Sequence, residues 1–278
     1  VELLIMETSF NNLLRSLRRD RGLSQLELAL ESGCSQRHLS FLESGRSRPS
    51  RNIVLTLSET MDVPLRQRNE LLLAAGFAPF YSEFELSDRE LDAVRAAIDQ
   101  MLGTHQPYPA FAFDWRHDII AQNEAARELQ LFLCDADAPE DLPEYAGNLI
   151  RGCLHPDGFR RHIANWNDVA VTMLRRFRNE LLQIGRLDEG QPLLDEFAAH
   201  IGDERINAVN FAERGPYPML TIDIEKDGLS FSLFSILSTL GAPVDVTLQE
   251  IRIESFYPVD GKSAEFFGHQ YRAWVPAA

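Results

Sequence analysis

The sequence predicts a multidomain chain: an all-α domain of five short helices, followed by a larger α+β domain. Three observations carry this. Residues 10–75 repeat apolar side chains at helical spacing in five short segments separated by turn residues. The pattern changes at Pro107, after which Ala110 to Asp114 and Asp118 to Gln122 read as two strands around a turn at Trp115-Arg116-His117. Further on, Leu220–Glu225 and Leu229–Phe234 flank Lys226-Asp227-Gly228, and Asp-Gly between apolar runs is a strong hairpin signal.

The five helices follow from local signals. Residues 10–21 form the first, with Phe10, Leu13, Leu14 and Leu17 inward. Ser24 caps the second, and Glu27 completes a capping box. Leu26, Ala29 and Leu30 are expected to give that helix its apolar face, and Gly33-Cys34 breaks it. Ser35 caps the third, in which only Leu39 and Leu42 must face inward. Ser50 caps a fourth with Ile53, Val54, Leu57 and Met61 at helical spacing. Pro64 suits the first turn of a fifth, which runs to Ala75 and stops at Gly76.

The third helix leaves Gln36, Arg37, Ser40 and Phe41 on its outer face. Gln, Arg and Ser are side chains that read base edges in a major groove, and Phe suits a thymine methyl. Two short helices joined by a tight turn make a helix-turn-helix pattern. Leu23-Ser24-Gln25, Ala29, Gly33, Leu39-Ser40 and Leu42-Glu43-Ser44-Gly45-Arg46, ending at Pro49, resemble the XRE, or λ-repressor-like, regulators. Glu-x-Gly-Arg just after a recognition helix is a fairly specific signature of that group. The resemblance implies a DNA-binding domain over residues 1–80 with a double-stranded operator as partner. Its DNA contacts would be Gln25 and Ser35 at helix starts, Gln36, Arg37, Ser40 and Phe41 on the bases, and Arg46, Arg48 and Arg51 on the backbone. By position, Arg18 and Glu43 match a pair that is salt-bridged across the core in some XRE proteins.

Composition bounds the rest. The chain has 278 residues and 45% apolar content, enough for about two domains with real cores. With no run of 18 apolar residues and no signal-peptide pattern, a soluble cytoplasmic protein without membrane insertion is expected. Cys34, Cys134 and Cys153 are far apart and read as small buried hydrophobes. The net charge of -15 is uneven: residues 1–80 carry +1, residues 81–278 carry -16, and the stretch Ser35 to Arg51 carries +3. A locally basic surface on an acidic protein is enough for phosphate contact, and the acidic remainder weakens non-specific binding.

Residues 81–106 are expected to hold a connecting helix, opened by a capping box at Ser87 and Glu90, with Leu91, Val94, Ile98 and Met101 on one stripe. Residues 107–278 form the second domain. Strand, turn, strand and a helix capped by Asn123 is how a PAS-like sensor domain begins. The run from Pro107 to Trp115, Asn123-Glu124-Ala125-Ala126 and the Ala75-Gly76-Phe77 junction resemble XRE regulators with an MmyB-like ligand-binding domain. Together these motifs cover most of residues 10–130. The resemblance implies a bacterial transcription regulator, nucleoid-associated when bound to its operator. Its C-terminal domain would bind an apolar small molecule, with fatty acids the suggested class and no required cofactor.

Residues 161–185 make the longest helix, with Trp166, Val169, Ala170, Met173, Phe177, Leu181 and Ile184 on one face. Gln191 to Ile201 reads as another helix and Val244 to Tyr257 as a long last strand. The candidate ligand-binding residues are Phe111, Phe113, Trp166, Met173, Phe177, Phe231 and Phe234, with Arg175 or Arg176 meeting a carboxylate at the pocket mouth. Such aromatic stripes are also ordinary core. His155, His162 and Asp157 fit no common zinc spacing. There is no G-x-S-x-G, P-loop or G-x-G-x-x-G, and no nucleophile-and-base constellation, so neither a metal site nor an enzyme is expected. The rival reading is a DNA-binding protein whose second domain only dimerises or docks a protein. One recognition helix covers few base pairs, so a homodimer is expected, its half-sites about 34 Å apart.

Overall fold

A computed structural model of the protein describes residues 9–202 and 219–274. The start of the expected Leu220–Glu225 strand lies beside the undescribed segment, and the strand itself begins at Ile222. Two compact units result: residues 1–84 with 243–249, and residues 85–242 with 250–278. No helix among the described residues is long and apolar enough to cross a membrane.

The first unit is all-α: α1 (Phe10–Asp20), α2 (Gln25–Glu31), α3 (Gln36–Glu43), α4 (Arg51–Thr60) and α5 (Leu65–Ala74). The side chains of Ser24, Ser35 and Ser50 accept from the backbone N–H groups of Glu27, His38 and Ile53, so each serine starts a helix as its position requires. Glu27 returns a hydrogen bond to the Ser24 N–H at 2.7 Å, which closes the capping box. Gly33 (φ 69°) and Gly45 (φ 72°) end α2 and α3 in the left-handed region, where a Cβ would be strained. The core is Phe10, Leu14, Leu17, Leu28, Leu39, Leu42, Val54, Leu57 and Leu72, all buried. The apolar face of α2 is Leu28 and Ala29; Leu26 and Leu30 are 50% and 73% exposed, contrary to the expectation from spacing. On a seven-residue helix, spacing alone does not choose which side is buried, and packing against the neighbouring helices decides it.

The second unit has a five-stranded antiparallel sheet in the order β2-β1-β5-β4-β3. Its strands are β1 (Ala110–Phe113), β2 (Ile119–Gln122), β3 (Ile222–Lys226), β4 (Leu229–Thr239) and β5 (Arg252–Pro258). Its helices are α6 (Asp92–Thr104), α7 (Glu124–Cys134), α8 (Leu149–Leu154), α9 (Trp166–Ile184) and α10 (Leu187–Ile201). Among the described residues two more helices follow: α11 (Val246–Glu250), most of which belongs to the first unit, and α12 (Gly261–Trp274).

Asn123 holds three elements of the second unit together. Its Oδ1 accepts from Ala126 N (2.9 Å) and Ala110 N (3.1 Å), and its Nδ2 donates to Leu102 O (3.1 Å) and Tyr108 O (2.8 Å). One buried amide therefore caps α7 while fixing the end of α6 and the start of β1. α6 begins at Asp92 after a 3-10 turn over Arg89–Leu91 that has no side-chain cap, so the expected capping box at Ser87 does not open it. Its buried stripe is Leu91, Ile98 and Leu102, and Met101 is exposed.

The expected single strand from Val244 to Tyr257 is instead a short helix and a strand. Asp245 Oδ1 accepts the Leu248 N–H at 3.1 Å, and this cap turns 246–250 into α11 before β5 begins at Arg252. α10 begins at Leu187, before the expected Gln191, and Gly190 lies inside it because a Cβ there would overlap Leu181 of α9. α12 had no strong apolar signal; Asp260 starts it by accepting the Ser263 N–H at 2.8 Å.

Candidate nucleic-acid interface and ligand core

α3 is held from one side only. Leu39, Leu42 and Glu43 are buried, while Gln36 and Arg37 are exposed and Ser40 and Phe41 half-buried. Glu43 anchors the helix end to α1: Arg18 Nε donates to its Oε1 at 2.6 Å and Arg18 Nη2 to its Oε2 at 2.9 Å. Burial raises the Glu43 carboxyl, but the bonds from Arg18 and Gln25 outweigh it and hold it below the usual carboxylate range. Arg15 also reaches the Glu43 backbone carbonyl. The ion pair expected from position is therefore present, and it fixes the outward face of α3 relative to α1.

Gln25, the first residue of α2, has an internal partner. Its Nε2 donates to Glu43 Oε2 at 2.8 Å, so the amide is part of this anchor. Ser35 accepts the His38 N–H as the α3 cap. Arg46, Arg48 and Arg51 are all exposed after α3, and the Arg51 guanidinium lies 5.3 Å from the centroid of the Phe80 ring. The Arg37 guanidinium lies 5.3 Å from the Phe41 centroid.

In the second unit, strand register decides which aromatic residues share a face. Directly opposed residues point to the same side. Phe111 opposes Glu254 and Phe113 opposes Arg252, while Leu237 opposes Glu254 and Ile224 opposes Phe231. Phe111, Phe113 and Phe231 are thus on one face. Phe234 is on the other, stacked on Tyr257 at 5.5 Å, and leaves the expected set. Spacing within one strand shows this only once the register is known.

The remaining candidates fall into two neighbouring clusters. Phe111 and Phe113 pack with Ala126 and Leu149; Trp166, Phe177 and Phe231 pack with Met173, Phe197 and Phe267. His117 joins them, stacked on Phe113 at 4.4 Å and edge-on to Phe177 at 5.3 Å. Trp166 is held by its Nε1, which donates to Cys153 O at 2.8 Å, and by Arg160 over its ring.

A buried polar cluster lies beside these rings, and apolar spacing gave no sign of it. Arg176 Nη1 and Nη2 donate to the two Glu254 oxygens at 2.7 and 2.9 Å, and Ser235 Oγ donates to Glu254 Oε1 at 2.6 Å. His117 Nε2 is 2.8 Å from Glu180 Oε2. Burial raises the Glu254 carboxyl, yet Arg176 and Ser235 hold it below the usual range. Burial pushes the neighbouring Cys153 thiol up to about 12, so it is not a thiolate at neutral pH. Arg176 is accordingly committed to a protein carboxylate, while Arg175 is exposed. The charges Arg252 and Glu254 of β5, two residues apart on one face, carried a signal, since like-facing charges in a buried strand require partners.

A separate surface cleft of about 710 Å³ is lined by α7, the chain after it and the β3–β4 hairpin. Its walls carry Glu124, Glu128, Asp135, Asp137 and Asp227 against Arg127 and Lys226, a charge balance unsuited to a carboxylate. His155 stacks on Tyr145 at 4.2 Å.

A family model described as the MmyB-like transcription regulator ligand binding domain matches residues 94–267, more than half of the chain. The chain belongs to this family. A helix-turn-helix family model matches residues 14–67, over α1 to α5. A comparison with curated proteins matched none. This MmyB-like chain is a DNA-binding transcription regulator with a ligand-sensing domain. α3 lies within the residues matched by the helix-turn-helix model, and the rings and polar cluster described above lie within those matched by the ligand-binding-domain model.

Proposed function

We propose that this protein is a one-component bacterial regulator, acting in the cytoplasm as a homodimer on a near-palindromic operator, whose second unit takes up an apolar small molecule. The observation that carries the reading is the outward face of α3: Gln36, Arg37, Ser40 and Phe41 are left out of the core while Leu39, Leu42 and Glu43 hold the helix. The exposed Arg46, Arg48 and Arg51 beside it supply a basic flank on an acidic chain. The antiparallel strand order supports the PAS-like reading of the sensor.

A fatty acid is the ligand class we favour. Phe111, Phe113, Phe177 and Phe231 offer an apolar lining, and each buried methylene contributes about 0.8 kcal/mol. The carboxylate requires a cation or donors, because burying it alone is prohibitive. Arg176 can supply these only by giving up Glu254; Arg175, exposed and next to it on α9, is the other candidate at the mouth.

A second reading, in which the domain serves only dimerisation or docking, is favoured by one observation. Phe113, Phe177 and Phe197 are fully buried by their own neighbours. Native mass spectrometry of protein purified from cells, with the bound material extracted, separates the two. An acyl chain in stoichiometric amount is expected. Delipidated protein titrated into labelled operator with and without fatty acid should then differ in affinity by about 5- to 150-fold, the range of ordinary coupling energies. Empty protein and identical titration curves would leave the second reading standing.

A further inference from the structure

Arg37 and Phe41 stand four residues apart on the outward face of α3, and the guanidinium carbon of one lies 5.3 Å from the ring centroid of the other. Neither belongs to the buried set that holds the helix, which is Leu39, Leu42 and Glu43. Arg37 has no hydrogen bond or ion pair among the described residues, so the ring is what restrains it. By contrast, Arg18 of the same unit is taken up by Glu43.

A ring beneath an exposed guanidinium narrows the positions that the group explores, and an ordered side chain loses less entropy on binding. The arginine fork matches one base edge in the major groove bidentately, the O6 and N7 of guanine. A guanidinium making both bonds lies in the plane of its base pair. The ring centroid is 5.3 Å from the guanidinium carbon, so it stands less than two base steps of about 3.4 Å each from that plane, within reach of the adjoining base pair. There the apolar group on the major-groove floor is the thymine methyl.

We propose that Arg37 and Phe41 form one reading unit for a guanine with a thymine at the adjoining base pair, Arg37 on the guanine edge and Phe41 on the thymine methyl. This rests on the reading of α3 as the recognition helix. The two contacts are coupled: Phe41 both recognises the methyl and aims the arginine.

The test uses the full chain and begins without a chosen operator. A random duplex library is selected for binding, and the preferred site is then measured by fluorescence anisotropy with three changes. Replacing the guanine is expected to weaken binding about 5- to 150-fold, the spread for one good bidentate pair. Replacing the adjoining thymine by uracil removes only the methyl and is expected to cost about 4-fold, as for one buried carbon. Phe41→Ala is expected to bind the thymine and uracil sites equally and to relax the guanine preference. A site without a neighbouring guanine and thymine, or equal binding of the thymine and uracil duplexes by the unaltered protein, overturns the proposal even if Phe41→Ala does not fold. If no sequence is enriched at all, the recognition-helix reading fails, and the proposal with it.

Discussion

The side-chain carbonyl of Gln249 accepts the backbone N–H of Leu65, the first residue of α5, at 2.8 Å across 184 positions of sequence. The first turn of a helix leaves such N–H groups without partners in the helix itself, so this acceptor completes α5 from outside. The rest of the segment is fixed in the same way. Asp245 Oδ2 accepts the Phe84 N–H at 3.0 Å, Val246 N donates to Ser82 O at 2.8 Å, and Thr247 Oγ1 donates to Phe84 O at 2.7 Å. Residues 243–249 are chain drawn from between β4 and β5, yet they complete the unit that carries α3.

Removing this acceptor should be felt locally. Gln249→Ala is expected to destabilise α5 by about 0.5–1.5 kcal/mol, the net worth of one hydrogen bond. Hydrogen exchange read by NMR should show the Leu65 amide exchanging faster in the variant. Unchanged protection would mean that the bond does not hold the helix start.

The Arg18–Glu43 pair makes a second prediction. Glu43→Gln leaves a buried guanidinium uncompensated and is expected to cost about 3–5 kcal/mol in chemical denaturation. The pH dependence has a definite sign. The folded carboxyl lies below its ordinary value, so its contribution is complete above the unfolded pKa, about 4.3. It is lost as pH falls through the folded pKa. The stability gap between wild type and variant should therefore narrow below about pH 4. A gap that is constant from pH 7 to pH 3 would count against the pair as an ionic anchor.

The exposed arginines after α3 are expected to act on the phosphate backbone. Arg46→Ala, Arg48→Ala and Arg51→Ala should each reduce the salt slope of operator binding by about one unit and leave sequence preference unchanged. A slope indifferent to all three would show that this loop faces away from the duplex.

In the sensor, the adjacent arginines should behave in opposite ways. Arg176→Ala strands the buried Glu254 and is expected to cost about 3–5 kcal/mol. Arg175→Ala, on the exposed side of α9, should change stability by no more than about 0.5 kcal/mol. Urea denaturation of the two variants checks this, and equal losses would contradict the assignment of Arg176 to Glu254.

Assembly is tested by sedimentation. A dimer on DNA with half-sites about 34 Å apart is expected, because one recognition helix reads too few base pairs for useful selectivity. A monomer both free and on the operator would exclude it.

Local chemistry was enough to place much of this molecule. Ser24, Ser35, Ser50 and Asn123 announce helix starts because a cap involves residues only three apart, and the same residues start helices in the structure. The outward residues of α3 were legible because Leu39 and Leu42 leave only one side for the core. Asp227-Gly228 marked the β3–β4 hairpin because that turn needs positive φ, observed at 51° and 78°. What tertiary structure decided is what depends on partners distant in sequence. Leu28 rather than Leu26 or Leu30 faces inward because of how α2 is turned against its neighbours. Phe234 leaves the aromatic face because register across β4 and β5 sets the side of every residue. Gln25 and Arg176 are engaged by Glu43 and Glu254, 18 and 78 positions away. Residues 243–249 join the first unit through bonds to Leu65, Ser82 and Phe84, whose energies no local propensity contains.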